Sequence, residues 1–509
     1  MDWNAGYVTD VNYTFGYYAE LNPLRCRLPL LTVGYHSPKI ENACELGFGQ
    51  GLSVSIHAAA QAGIRWWGTD FNPSQAAFAS EMARLSGSDA RLFDEAFAEF
   101  CGRTDLPDFD FIGLHGIWTW ISDENRRILV DFVRRKLRPG GVLYISYNTN
   151  PGWSAAAPLR HLMKRHAEVM GAPGQGVIAQ TEQSLDFIDK FFAVNPSYAV
   201  ANPAVVERFK GIKKQDRKYL AHEYMNRDWA PMHFSDLEHW LGEAKVTFAC
   251  SANTLDHTQN LNLTPDQMAF LQGVPDFSLR ETLRDYCVNQ QFRRDYWVRG
   301  VRTLSRHEQI AALRSERVVL ATVKEALPTK VRGMLGEATL IDTIYPPIFD
   351  YLSDYKVRTI QEIEAHVASK GVDFAQLSSA MSILFGLGTI QSAVDSQEAS
   401  KAKARTLALN RVIARRALSS GEIGNFASPV TGGAVTAPRF HQLFWLGKQN
   451  GGKASADWAA FAWSILQSQN EAIVKDGATL QGDENLKELT VQAEIWGAQV
   501  LPIWTALGI

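Results

Sequence analysis

The chain has 509 residues, 46% of them apolar, with 51 Lys and Arg against 54 Asp and Glu for a formal net charge of -3. That length predicts roughly three packed domains. The near-balanced, scattered charge lacks the basic field that nucleic acid requires, so no nucleic-acid partner is expected. Five cysteines without C-x-x-C spacing fit neither a disulfide framework nor a zinc site. The opening Met1-Asp2-Trp3-Asn4-Ala5-Gly6 is not a charged n-region followed by an apolar core, and no run of about eighteen apolar residues occurs. The expectation is a soluble, cytoplasmic chain with no membrane partner and no bound metal.

Residues 7–18 hold four tyrosines, Tyr7, Tyr13, Tyr17 and Tyr18. Their aromatic faces suit a cation or a reacting amine; packing of an N-terminal helix explains them equally well. The organising stretch follows. Ala43-Cys44-Glu45-Leu46 reads as a strand, Gly47, Gly49 and Gly51 alternate behind it, and Leu52 to Ala60 is a good helix former. Alternating glycines let the backbone turn tightly from strand to helix and let a ligand lie against it. A dinucleotide fingerprint spaces its glycines G-x-G-x-x-G, yet Leu52 stands where the third is needed, and Glu45 would repel a pyrophosphate. The pattern E-x-G-x-G-x-G instead resembles motif I of class I S-adenosylmethionine (AdoMet) methyltransferases, whose cofactor has no phosphate and carries a cationic amino group.

Ile64 to Asp70 reads as a second strand ending in a carboxylate nineteen residues after Gly51, where an acid accepts hydrogen bonds from a ribose diol. Phe71 follows it, and Asn72-Pro73-Ser74 opens a surface helix. Ala90 to Phe93 is a third strand, with Ala96 and Phe97 beyond it at the place that borders adenine in such a fold; Phe97 either stacks on the base or packs in the core. The fourth strand, Phe109 to Leu114, ends in His115-Gly116-Ile117-Trp118. Carboxyl ends of parallel strands hold ligands, so His115 and Trp118 are expected to face the methyl group or the substrate. A helix over 128–137 leads through Arg138-Pro139-Gly140-Gly141 into strand five, Val142 to Tyr147, a turn that again resembles class I methyltransferases.

Strand five runs into Tyr147-Asn148-Thr149-Asn150-Pro151-Gly152-Trp153. An N-P-P-Y motif of adenine and glutamine N-methyltransferases follows strand four and has two prolines, so that parallel is rejected. From 154 to 231 the sheet pattern stops, as expected of a helical insertion over the active site. Within it Glu223 and Asn226 stand i, i+3, able to address one ligand from one helix face. Ser235 and Glu238 read as the capping box of a helix over 234–241, and 246–250 and 292–300 as strands six and seven. Residues 302–326 look like a connecting helix, 340–392 like three helices and a short hairpin in a winged-helix-like pattern that favours protein contact. Residues 397–436 read as partly linker, and 454–507 as helical.

The fold class is therefore α/β: a doubly wound, Rossmann-like, seven-stranded methyltransferase sheet with helical insertions and a mainly helical, winged-helix-like C-terminal region. Four units are expected: a cofactor-binding core at 1–153, a substrate and regulatory insertion with the last strands at 154–302, a linker helix and winged-helix-like domain at 303–436, and a helical domain at 437–509.

The order of motifs, Y-V-T-D-V-x-Y at 7–13, E-L-G-F-G-Q-G at 45–51, D-F-N-P at 70–73, L-H-G-I-W at 114–118, Y-N-T-N-P-G-W at 147–153, H-E-Y-M-N at 222–226 and F-R-R-D-Y-W-V-R-G at 292–300, resembles bacterial class I AdoMet-dependent methyltransferases with an appended methyltransferase regulatory domain. That group includes rickettsial lysine methyltransferases acting on outer membrane protein. The resemblance implies a homodimeric enzyme that uses AdoMet, releases S-adenosylhomocysteine (AdoHcy) and methylates protein lysine. A small-molecule N- or O-methyltransferase and a non-catalytic AdoMet-binding regulator are the alternatives. The residues expected at the cofactor are Tyr13, Glu45, Gly47, Gly49, Gly51, Asp70, Phe71, Ala96, Phe97, His115 and Trp118. Tyr17, Asn148, Trp153, Glu223 and Asn226 are expected at the acceptor, and of the catalytic residues Tyr147 is expected as an aromatic wall that lowers the amine's pKa and Glu223 or His115 as steering the amine or passing on its proton.

Overall fold

A computed structural model describes residues 6–172 and 174–509. Residues 1–5, weighed above as a leader, lie outside the described residues. Seven strands form the main sheet: β1 Asn42–Leu46, β2 Arg65–Thr69, β3 Ala90–Phe93, β4 Phe109–Leu114, β5 Leu137–Asn148, β6 Val246–Ser251 and β7 Phe292–Arg299, in the order β3-β2-β1-β4-β5-β7-β6. The first five run parallel, and β7 pairs antiparallel with both β5 and β6. β1 and β4 are buried along their whole length, as apolar strands covered on both faces are. Side chains alternate between two cores: Ala43, Trp66, Phe111, Val142 and Tyr144 on one face, Cys44, Trp67, Ile112, Leu143 and Ile145 on the other. The chain winds outward from β1 in both directions, so a crevice opens at the carboxyl ends of β1 and β4.

Every residue of the helix Leu52–Ala60 is buried, because the sheet covers one side and the C-terminal region the other. Its Leu52 and Ile56 share a core with Leu409, Ile413, Phe426 and Leu443. The insertion after β5 is helical as expected, with helices Ala157–Met170, Val177–Ala193, Ser197–Ala201, Pro203–Ile212 and Arg217–Tyr224 around a separate apolar cluster of Leu159, Met163, Leu185, Val205, Phe209 and Leu220.

Several boundaries differ from the sequence reading. The helix over residues 234–241 starts at Phe234 on the N-cap His233, and Asp236, not Glu238, accepts the His233 backbone N–H. Residues 302–326 are not one helix: Arg306–Ser315 is helical, and the β-branched run after it forms the strand Arg317–Leu320. That strand is central in a three-stranded sheet with Arg358–Thr359 and Ile390–Ser392, packed on helices Tyr345–Leu352, Ile360–Ala368 and Phe374–Gly386. Residues 397–436 are not linker. Asp395 caps a long helix, Ser396–Arg416, and Asn425–Ser428 pairs with Gly433–Thr436. Their alanines and glycines permit close packing, and Leu409, Ile413, Ala414, Phe426, Ala427 and Ala434 share one core with the last helices.

Candidate cofactor and active site

A cavity of about 520 Å³ occupies the crevice, lined at the strand ends by Glu45, Asp70, Ala96, His115 and Asn148. Residues 7–18 form no α-helix. They run as an extended strap that brings Tyr7, Tyr13 and Tyr18 to the cavity. Gly47, Gly49 and Gly51 all take positive φ, at 72°, 56° and 69°, the left-handed region where a side chain is strained. A Cβ on Gly47 would lie 2.3 Å from Ile117 Cδ1, so glycine there keeps the floor of the cavity open. Gly51 does not reach the cavity. It is the N-cap of Leu52–Ala60, and a Cβ there would meet Ala79 Cβ at 2.4 Å; its role is to let two helices approach.

Asp70 holds the loop. One carboxylate oxygen accepts the Gly49 N–H at 2.8 Å and the other the Asn72 N–H at 3.0 Å. Burial still pushes its pKa up to about 6. Glu45 is more costly: burial, then the charge of Asp70, pushes its pKa up to about 8, and its Oε2 is buried with no hydrogen-bond partner. A buried carboxylate without a partner is unfavourable unless a ligand supplies one. A cofactor with a cationic amino group and a ribose diol fits this donor set, with Glu45 toward the amino group, Asp70 toward the diol, and Ala96, Phe97 and Phe71 as further walls.

His115 Nδ1 lies 2.8 Å from the Tyr144 hydroxyl, and its ring stacks on Tyr18 at 3.6 Å between centroids. Burial pushes its pKa down to about 4, so it is neutral and a weak base at pH 7. Glu223 lines the same cavity. Its pKa rises to about 7, because burial outweighs the pull of Arg160 and Arg208, and its carboxylate accepts no hydrogen bond among the described residues. Tyr7, Tyr13, Tyr18 and Tyr219 line the same cavity, and burial first, with the negative charge of Glu223 adding to it, raises the pKa of each.

Four other expected residues are elsewhere. Tyr147 is 1% exposed and faces the other side of the sheet, its hydroxyl donating to Asp295 at 3.2 Å in a buried cluster where Arg293 pairs with Asp295, Asp285 and Glu281. Trp118 is core, its indole N–H meeting Met232 Sδ at 3.2 Å. Tyr17 turns away to His57 Nε2 at 3.1 Å and packs against the C-terminal core. Asn226 lies past the end of its helix, which stops at Tyr224. It accepts the Val8 N–H at 2.7 Å and donates to the His222 carbonyl at 2.6 Å, so it anchors the strap and is not among the residues that line the cavity. The cavity also gains Tyr219, His222, Ile117, Trp120, Gln291 and Phe292, which the sequence reading did not single out. Gln291 and Phe292 sit where β7 begins beside β5, a pairing no local pattern announces.

The sheet order and the cavity at its strand ends are those of a Rossmann-like methyltransferase fold, and residues 216–299 match the model of the predicted methyltransferase regulatory domain. The chain belongs to one family with the uncharacterized protein sll1526 of Synechocystis, to which it is 37% identical over 514 residues, all of both chains. An uncharacterized protein of Rickettsia prowazekii is 27% identical over 293 residues, 56% of this chain and 51% of its own. Among solved structures the fold is similar to PKMT2 from Rickettsia typhi in complex with AdoHcy, with a TM-score of 0.70 at 16% identity over 98% of this chain and 100% of that one.

Proposed function

We propose that this chain binds AdoMet and methylates the side-chain amine of lysine in a protein substrate. The observation that carries the reading is Glu223, whose carboxylate accepts no hydrogen bond among the described residues and lines the cavity together with Tyr7, Tyr13, Tyr18 and Tyr219. Glu45 and Asp70 would hold AdoMet, which when bound would supply the methyl group to the acceptor nitrogen and keep the bonding pair on sulfur. The residues of the chain align and deprotonate the acceptor. A lysine ammonium of pKa about 10.4 costs roughly 4–5 kcal/mol to deprotonate at pH 7, and burial among Tyr7, Tyr13 and Tyr18 lowers that cost by disfavouring the cation. Glu223, titrating near neutrality, takes the proton; His115, with its low pKa, orients the amine through the Tyr144 contact. The similarity to PKMT2 supports the lysine reading, and the family resemblance supports a homodimer.

The strap over the cavity also favours a second reading, a small-molecule N- or O-acceptor. Incubation of the protein with methyl-labelled AdoMet and an undialysed whole-cell extract decides between them: label in protein lysine supports the proposal, and label only in small solutes overturns it. Titration with AdoHcy and, separately, NADH on wild type and Asp70→Ala fixes the cofactor; wild type that ignores AdoHcy would overturn the AdoMet reading.

A further inference from the structure

A second cavity of about 400 Å³ lies within the helical insertion. Four residues, Trp153, Tyr219, Glu223 and Gln291, line both this cavity and the first, so the two share a wall. None of the groups fitted to the cofactor, Glu45, Asp70 or the glycine loop, reaches the second cavity. Its outer side is small and apolar, with Ala155, Ala204, Val205 and Ile212, dimensions and polarity that suit an alkyl stem. At the shared wall stands Arg208, whose guanidinium lies 3.8 Å from the Trp153 ring centroid and whose Nη1 donates to Gln291 Oε1 at 3.0 Å.

The lining orders these features. The small apolar side suits an alkyl stem and nothing ionic, whereas Glu223 at the shared wall accepts no hydrogen bond among the described residues and lacks a donor. We infer that the second cavity is the entrance for the acceptor: an alkylamine stem enters between Ala155, Ala204, Val205 and Ile212 and presents its amine to Glu223 at the junction with the cofactor cavity, beside Arg208, whose charge favours the neutral amine over the ammonium. This rests on the amine-methylating reading above.

The test uses a ligand that spans the wall, an AdoHcy analogue in which a nitrogen replaces sulfur and carries an aminobutyl arm, with AdoHcy itself as the parent, both titrated calorimetrically into the full chain. In wild type the arm is expected to tighten binding roughly tenfold or more, the effect of burying about two methylenes. Ala155→Trp and Ala204→Trp, exposed positions on separate segments, fill the second cavity and are expected to erase that gain while AdoHcy binds as before; Glu223→Gln is expected to reduce it. No gain in wild type, or a gain that survives both Trp substitutions, overturns the proposal. Loss of AdoHcy binding in both Trp variants also overturns it, because the second cavity would then belong to the cofactor site. Wild type that fails to bind AdoHcy sinks the cofactor reading instead, a result distinct from each of these.

Discussion

Replacing Glu45 with Gln separates what the cofactor loop costs from what it does. Glu45 is 3% exposed, and burial with the Asp70 charge raises its carboxyl from 4.5 to about 8. A carboxyl whose pKa is raised by folding binds more protons in the native state than in the unfolded one, so stability falls as pH rises from about 4.5 to about 8 and stays low above that. The span of roughly 3.5 units at about 1.36 kcal/mol each gives about 4–5 kcal/mol by pH 9. Gln removes that term but leaves a buried amide near the orphaned Oε2 position, which costs about 1–3 kcal/mol. The ligand-free Glu45→Gln protein is therefore expected to be more stable than wild type at pH 9 by about 2 kcal/mol, seen as a first melting transition some 4–8 °C higher for a sheet domain of this size, and to lose the advantage below pH 5. AdoHcy, whose amino group is the expected partner, should bind it more weakly than wild type. A variant no more stable than wild type at pH 9, by scanning calorimetry without ligand, would refute the assignment of this carboxylate as an uncompensated charge.

Gly47→Ala places a residue at φ 72° with Cβ 2.3 Å from Ile117 Cδ1. The backbone term is about 1–2 kcal/mol and the overpacking about 1–3 kcal/mol, so adding Ile117→Ala is expected to restore only the second part of the lost stability and AdoHcy affinity. Tyr147→Phe deletes a buried hydrogen bond to Asp295, which keeps Arg293 Nε at 2.9 Å. The expected result is a loss of about 1 kcal/mol with methyl transfer unchanged; a large fall in kcat alone would return Tyr147 to the mechanism. Glu223→Gln should leave AdoHcy affinity intact and flatten the rise of kcat/KM through about pH 7; a profile identical to wild type would remove Glu223 as the proton acceptor.

The inner sheet was legible because β1 to β4 are short, mostly apolar and bounded by turn residues, whereas β5 begins at Leu137, inside the stretch read as helix and turn. β3 and β4 fall on Ala90–Phe93 and Phe109–Leu114, as their pattern predicts, and the glycine loop with Asp70 reads locally because strand, turn and helix are consecutive. The C-terminal region was less legible. Residues 397–436 look like linker by composition, yet their small residues fit a helix and hairpin against Leu52 and Ile56, which lie more than three hundred residues earlier. Contacts of that separation leave no local periodicity. Asn22 Nδ2 donates to the Thr431 carbonyl at 3.3 Å, and Gln61 Nε2 to the Gly432 carbonyl at 2.6 Å, in the same way.

The placement of Tyr147 is a different matter, because the sequence did carry the signal. In a strand, side chains two apart share a face, so Tyr144 and Ser146 face one way and Ile145 and Tyr147 the other. Ser146 Oγ accepts the Gly116 N–H at 2.8 Å and Tyr144 meets His115, which sets the even face of β5 toward the site. Asn148 continues that face at the strand's carboxyl end and reaches the cavity, with its Nδ2 buried and without a partner. Period-two alternation taken from His115's neighbour thus selects Asn148 over Tyr147 for contact with the acceptor. Asn148→Ala should then raise the KM for the acceptor while AdoHcy affinity holds, and an unchanged KM would break the face argument.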